Sequence, residues 1–371
     1  MRKLIHASLL ITGTTIGAGF LALPLSGINI DIKLLAGLIF FFAWVAHYAS
    51  MMAIDLNILH QKPAAMDQLS RVYAGKRAFA ISLTAIYLIS FALLTGYFDC
   101  FADTVCTAWG FSRTATIWIL AIFLFCVFNL DKKLFSNINS FVVSILLIAI
   151  LLASLTITIT HPNVDIDFDN QWKDLPGVIP ILFTSFLMQT ICPRIYKDLN
   201  YDRKKISQAF WLGTMIPAII YLLWIICVLK NIVANNPDFF KKLQSHNVSV
   251  GALIQFLCDS SPYSWLDLAL KILTLLGVIT SAIGFGIGLL QSLEAFIPHG
   301  LARLLVCLIP AAINVTFPNV FIKVFSFAGM ISTILVIFMP YYLLSKQTRR
   351  TSLIGLACCL LGIAIILCEW M

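Results

Sequence analysis

Apolar residues run through this chain in long blocks separated by short polar and basic stretches. Eleven blocks fall at about 4–28, 34–59, 78–98, 114–130, 134–159, 177–195, 207–232, 264–295, 300–317, 319–344 and 352–369. A helix needs about 20 apolar residues to cross the hydrocarbon core of a bilayer. The blocks are long and lack the alternation of barrel strands, so the pattern predicts an all-α integral membrane protein with eleven transmembrane helices. Composition strengthens this reading: of 371 residues, 60% are hydrophobic and 11% charged, against about 25% charged in a soluble domain. No soluble domain or low-complexity stretch interrupts the blocks, so residues 1–371 read as one transmembrane domain. The apolar stretch after Arg2 and Lys3 is too long for a cleavable signal and has no small-residue cleavage pattern.

The formal charge of +8 does not point to nucleic acid, because the basic residues sit in short loops between apolar blocks. They set an orientation instead. With the N-terminus in the cytoplasm, that side collects Lys62, Arg71, Lys76, Arg77, Lys132, Lys133, Arg194, Lys197, Arg203, Lys204, Lys205, Arg303, Lys346, Arg349 and Arg350. The other side keeps few, among them Lys33, Arg113, Lys173, Lys241 and Lys242. The outer loop His161–Pro176 is acidic through Asp165, Asp167, Asp169 and Asp174, and the longer loop Asn235–Pro262 has room for short amphipathic helices. Trp109, Trp172, Trp265 and Trp370 fall near expected outer boundaries, as interfacial anchors do. The ten cysteines show no CxxC pair and read as small buried hydrophobes, with pairing of Cys100 and Cys106 left open.

Two blocks are interrupted. In the first, Gly13-Thr14-Thr15-Ile16-Gly17-Ala18-Gly19 precedes Pro24. Three glycines and two threonines weaken a helix at about mid-membrane. A break in lipid exposes backbone groups that must find partners. The amides of the second half-helix then face an anion with the helix dipole behind them, and the carbonyls of the first half face a cation. Close helix packing at Gly17 is the structural alternative. In the sixth block, Phe183-Thr184-Ser185-Phe186-Leu187-Met188-Gln189-Thr190 precedes Pro193, with Ser and Thr bonding back into a continuous helix as the alternative. The two interruptions lie five segments apart. This spacing predicts a five-plus-five inverted repeat with discontinuous helices 1 and 6: a first repeat over about 4–159, a second over about 177–344, and an extra helix at about 352–369.

Gly13–Pro24, GTTIGAGFLALP, resembles the signature of the bacterial hydroxy and aromatic amino acid permeases, which include tyrosine-specific and tryptophan permeases. The stretch Phe183–Phe186 with Pro193 resembles the sixth helix of the same family, and the similarity extends over nearly the whole chain. The resemblance implies a LeuT-type fold of the amino acid–polyamine–organocation superfamily. It also implies ion-driven import of an aromatic amino acid, usually with protons, in a bacterial inner membrane. Thr14, Thr15, Gly17, Ala18, Gly19, Thr184, Ser185, Phe186 and Gln189 are the expected substrate contacts, and Tyr97 resembles a third-helix tyrosine facing the substrate. Thr280-Ser281, near the centre of the eighth segment, resembles a pair that in sodium-coupled proteins of this fold joins carbonyls of the broken first helix; here these are Gly13 and Ile16. Interhelical packing is the other reading of that pair.

Two departures bear on coupling. The family commonly carries Gly-Phe-His-Gly where this chain has Leu187-Met188-Gln189-Thr190, and often Asp where Gln291 stands. A sodium-coupled carrier of small neutral amino acids is therefore the second expectation. Asp99 and Asp103 are expected near the outer surface, attracting cations. His47 is expected as a titrating or hydrogen-bonding group in the second segment, and Glu294 at a solvated inner end. No HExxH, GxSxG or intramembrane acidic pair points to an enzyme. No pore-lining repeat points to a channel, and no large cytoplasmic domain points to a receptor. No organic cofactor is implied, the coupling ion being a proton or sodium, and no oligomer is required.

Overall fold

The computed structural model describes residues 2–17, 19–130, 145, 149–152, 154, 156, 172–245, 248–260, 263–349 and 351–370. Within these residues the protein is helical and contains no strand. In chain order the helices are α1 (Arg2–Thr15), α2 (Gly19–Ser26), α3 (Ile32–His60), α4 (Met66–Trp109), α5 (Arg113–Val127), α6 (Leu175–Ser185), α7 (Cys192–Asp198) and α8 (Arg203–Asn235). They continue with α9 (Pro237–Gln244), α10 (Val250–Asp259), α11 (Ser264–Leu293), α12 (His299–Thr316), α13 (Phe321–Thr348, with a π turn over Ile334–Phe338) and α14 (Leu353–Cys368).

Seven of the described helical stretches are long and apolar enough to cross a bilayer, and the bent pair α1–α2 makes an eighth. Helices α5, α10 and α14 are apolar but shorter. The expected segment 134–159 lies largely outside the described residues, as do Asp165, Asp167 and Asp169. Each of the other expected segments coincides with a helix or a helix pair. The third extends well beyond 78–98: α4 begins at Met66 and turns sharply at Gly75, whose φ of 85° suits a residue without a Cβ. The Ser70 and Ser82 hydroxyls meet across that turn at 2.8 Å.

Side-chain caps fix where the helices start. Asp31 accepts from the amides of Lys33 and Leu34, Asp202 from those of Lys204 and Lys205, Asn236 from those of Asp238 and Phe239, and Ser249 from that of Ala252. The long loop after α8 folds into α9 and α10, as its amphipathic pattern suggests. The Lys205 ammonium beside Asp202 holds that surface carboxyl below its ordinary range.

Several acidic groups are packed more tightly than the sequence suggests. Asp99 is buried. It pairs with Arg113 and accepts from the amides of Asn319 at 3.0 Å and Phe321 at 2.9 Å, so it joins α4 to the starts of α5 and α13. Asp103 accepts from the Gly251 amide at 2.5 Å and the Ser249 hydroxyl at 3.1 Å, fastening α10 to α4. Neither carboxylate is a free surface attractor of cations. Glu294 is only 13% exposed and pairs with His299 at 3.2 Å, in place of the expected solvated end. Asp55 accepts from Arg203 Nε at 2.6 Å and from Arg203 Nη2 at 2.9 Å. All ten cysteines are free thiols, so Cys100 and Cys106 do not pair.

Removing one member of a buried charge pair strands the other, at about 3 kcal/mol. Asp99→Ala is expected to destabilise the protein on this scale, read as a lower melting temperature in detergent. An unchanged melting temperature would mean that Arg113 and the α13 amides find water instead.

Candidate functional site

The first break follows directly from the local sequence. The Thr14 hydroxyl donates to Leu10 O at 2.8 Å and the Thr15 hydroxyl to Ile11 O at 2.9 Å. These back-bonds are spent within α1 and loosen its last turn. The Ile16 amide still reaches Thr12 O, but the Gly17 amide turns to Thr15 O at 2.9 Å, and the α-helical pattern ends. The chain resumes as α2 at Gly19, bent by 49° from α1. All of α2 is buried, Pro24 included. Its first amides have no partner within the helix and lie at the positive end of its dipole. Ala18 lies outside the described residues.

The second break has a different local cause. Helix α6 carries back-bonded Thr184 and Ser185 at its end, their hydroxyls on Pro180 O at 2.9 Å and Ile181 O at 2.8 Å. Phe186 and Leu187 then bond back to Phe183 O and Thr184 O, and a short 3₁₀ turn over Gln189–Ile191 leads into α7, with Pro193 in its first turn. The continuous-helix alternative for this block therefore does not hold. Thr184 also donates to Phe325 O at 2.8 Å, so its hydroxyl faces α13.

The two breaks meet. A Cβ placed on Gly19 would lie 2.8 Å from Ser185 Oγ and 3.0 Å from Tyr221 Oη, so only glycine allows this approach. Tyr221, on α8, has no solvent exposure. Its hydroxyl lies 2.8 Å from Thr15 O and 3.0 Å from Ser185 O, the last residue of each first half-helix. Phe186 packs edge-on against its ring at 5.6 Å.

Helix α11 runs beside the first break. A Cβ on Gly17 would come 2.9 Å from Ser281 Oγ and 3.8 Å from Tyr97 Oη. Tyr97 is buried, hydrogen-bonds Ser281, and rests against Phe285 and Phe325 at 6.0 and 6.2 Å. It is therefore a wall of the broken-helix region and not an interfacial anchor. Thr280 donates to Leu276 O and Gly277 O in its own helix. The structure thus gathers Gly17, Gly19, Tyr97, Ser185, Phe186 and Ser281 around the breaks, while the hydroxyls of Thr14, Thr15, Thr184 and Thr280 are directed to backbone carbonyls.

Gln189 buries both amide atoms, and neither has a hydrogen-bond partner among the described residues. His47, on α3, lies edge-on to Trp211 at 5.4 Å, and its buried Nδ1 likewise has no partner among them. Two contributors escape sequence reading. Tyr221 is one aromatic in an ordinary apolar block. Gly329 on α13 leaves no more signal than any small residue, yet a Cβ there would fall 2.1 Å from Pro180 O.

Two broken helices meeting inside a helical bundle are an arrangement that recurs at the binding sites of multi-pass membrane transporters. The chain belongs to the tryptophan/tyrosine permease family, whose profile matches residues 1–367. It is similar to glutamine transporter 2 of Aliivibrio fischeri, with 23% identity covering 91% of this chain and 87% of that protein. It is similar to tyrosine-specific transport system 1 of Haemophilus influenzae, with 22% identity over 94% and 89%. A tryptophan-specific transport protein of Pseudomonas aeruginosa shares 24% identity over 94% and 87%. Among solved structures, the fold matches a manganese transporter of Eremococcus coleocola in complex with an aromatic bis-isothiourea substituted compound. That match has a TM-score of 0.59 and 14% identity, covering 99% of this chain and 85% of the other.

Proposed function

We propose that this protein is a symporter that imports an aromatic amino acid, tyrosine or tryptophan, by alternating access coupled to a proton gradient. The observation that carries the proposal is the meeting of the two helix breaks at Gly19 and Ser185. In this reading the substrate carboxylate lies at the first amides of α2, from Gly19 onward, because the Ile16 and Gly17 amides are already bonded within α1. Its ammonium faces the carbonyl end of α6 around Thr184–Phe186, at the negative end of that helix. The aromatic ring lies toward Tyr97, Phe186 and Gln189, whose amide has no hydrogen-bond partner among the described residues and suits an indole N–H or a phenol.

The eleven-helix topology is part of the same proposal: an inverted repeat over 4–159 and 177–344, an added helix at 352–369, and the N-terminus in the cytoplasm of a bacterium. The Lys and Arg distribution and the interruptions five segments apart support it. A membrane potential adds about 2.3 kcal/mol per charge per 100 mV to the driving force.

A second reading, sodium-coupled transport of a small neutral amino acid, draws on Ser281, which lies against Gly17. The Gly13 and Ile16 carbonyls and the Thr280 oxygen would complete an oxygen set suited to such an ion. Among the described residues no His, Cys, Asp and Glu side chains cluster as a metal site.

Uptake of labelled tyrosine and tryptophan into proteoliposomes, under a proton gradient alone and a sodium gradient alone, separates the two readings. Proton-driven uptake blocked by aromatic competitors supports the first; sodium-driven uptake of alanine or leucine supports the second. Under the first reading, Thr280→Val leaves the ion response unchanged. A sodium dependence lost in that variant would transfer the site to sodium.

A further inference from the structure

We infer that Tyr221 is a positioning residue that lets the carrier close without substrate, an inference that rests on the alternating-access reading above. Helix α8 is drawn tightly onto α1: a Cβ on Gly213 would fall 2.5 Å from Ile11 Cγ2. Two turns further along α8, this approach delivers Tyr221 to the junction of the two breaks. There its hydroxyl meets Thr15 O and Ser185 O, at 2.8 and 3.0 Å. Both carbonyls end a first half-helix, so two partially negative helix ends converge on one O–H. A hydroxyl carries a single donor hydrogen, which the two carbonyls share.

The donor belongs to the protein. It therefore holds α1 and α6 together whether or not an amino acid is bound, and no substrate ammonium is needed to neutralise the converging carbonyls. An importer has two ways to return across the membrane: loaded, during exchange, or unloaded, during net uptake. The Tyr221 bond serves the unloaded return. A loaded carrier also has the substrate's own N–H donors at the α6 end, and this makes the hydroxyl less necessary.

Tyr221→Phe keeps the ring and its edge contact with Phe186 while removing the O–H. Net uptake into empty proteoliposomes is expected to fall about tenfold, the effect of stranding a buried acceptor. Exchange into vesicles preloaded with the same amino acid is expected to change less than about twofold, with KM for exchange unaltered. Equal losses in both modes, or a raised KM in exchange, would overturn the inference, since a merely structural residue or a direct substrate ligand gives those results. Unchanged net uptake would overturn it as well. If the variant accumulates only in cells given saturating substrate, that dependence supports the role. Failure to accumulate with or without substrate would show a plain packing residue. Wild-type protein that takes up neither tyrosine nor tryptophan would count against the aromatic substrate of the proposed function, not against the positioning role; in that event a Tyr221→Phe melting temperature equal to wild type without ligand overturns the positioning role, and a lower one supports it.

Discussion

Replacing Gly19 by valine is expected to abolish uptake, by about 100-fold or more per mole of protein in the membrane. The added Cβ alone would stand 2.8 Å from Ser185 Oγ, 2.9 Å from Ser185 Cβ and 3.0 Å from Tyr221 Oη. Ser185 Cβ is not the far end of a flexible chain, so α2 must move away from α6. A shift of about 1 Å in a positioning geometry can cost about 100-fold in rate. Here the shift falls on the first amides of α2, which the proposed mechanism aims at the carboxylate. The variant should still reach the membrane, because the rest of α2 keeps its buried contacts. Uptake within about twofold of wild type would show that the closeness of the breaks has no part in transport.

The second large effect is on stability. Gly329→Val places a Cβ 2.1 Å from Pro180 O and 2.6 Å from the Thr184 hydroxyl oxygen. The first of these is backbone, which cannot rotate away. Helices α13 and α6 must separate, and the Thr184 bond to Phe325 O is lost with them. Overpacking of this kind destabilises by about 3 kcal/mol. The expected reading is a clear fall in melting temperature and little folded protein. Gly284→Val is the matched control, since beyond its chain neighbours and its own helix backbone no atom lies within 4 Å of its added Cβ. Equal stability of the two variants would contradict the close approach of α6 and α13.

Much of this architecture is legible in the sequence. Apolar blocks locate the long helices because burial in lipid demands a continuous apolar stretch, and Gly17, Gly19 and Pro193 mark the interruptions because each acts on the backbone locally. The side-chain roles are less legible. Thr14, Thr15 and Thr184 look like ligands, but a threonine hydroxyl in a helix can bond to the carbonyl one turn back, and here each does. Asp99 looks like a surface charge, but its partners include amides more than 200 residues away, and no local pattern announces them. Tyr221 carries no mark, because its importance comes from where α8 crosses α1. The close fit at Gly213 that produces this crossing is visible only in three dimensions.

The central claim, that the two breaks form the amino acid site, is tested most directly by equilibrium binding of labelled tryptophan and tyrosine to purified protein. Saturable binding to the wild type, displaced by unlabelled aromatic amino acids and absent from folded Gly19→Val protein, is the predicted result. Undiminished binding to folded Gly19→Val protein would place the substrate elsewhere in the bundle.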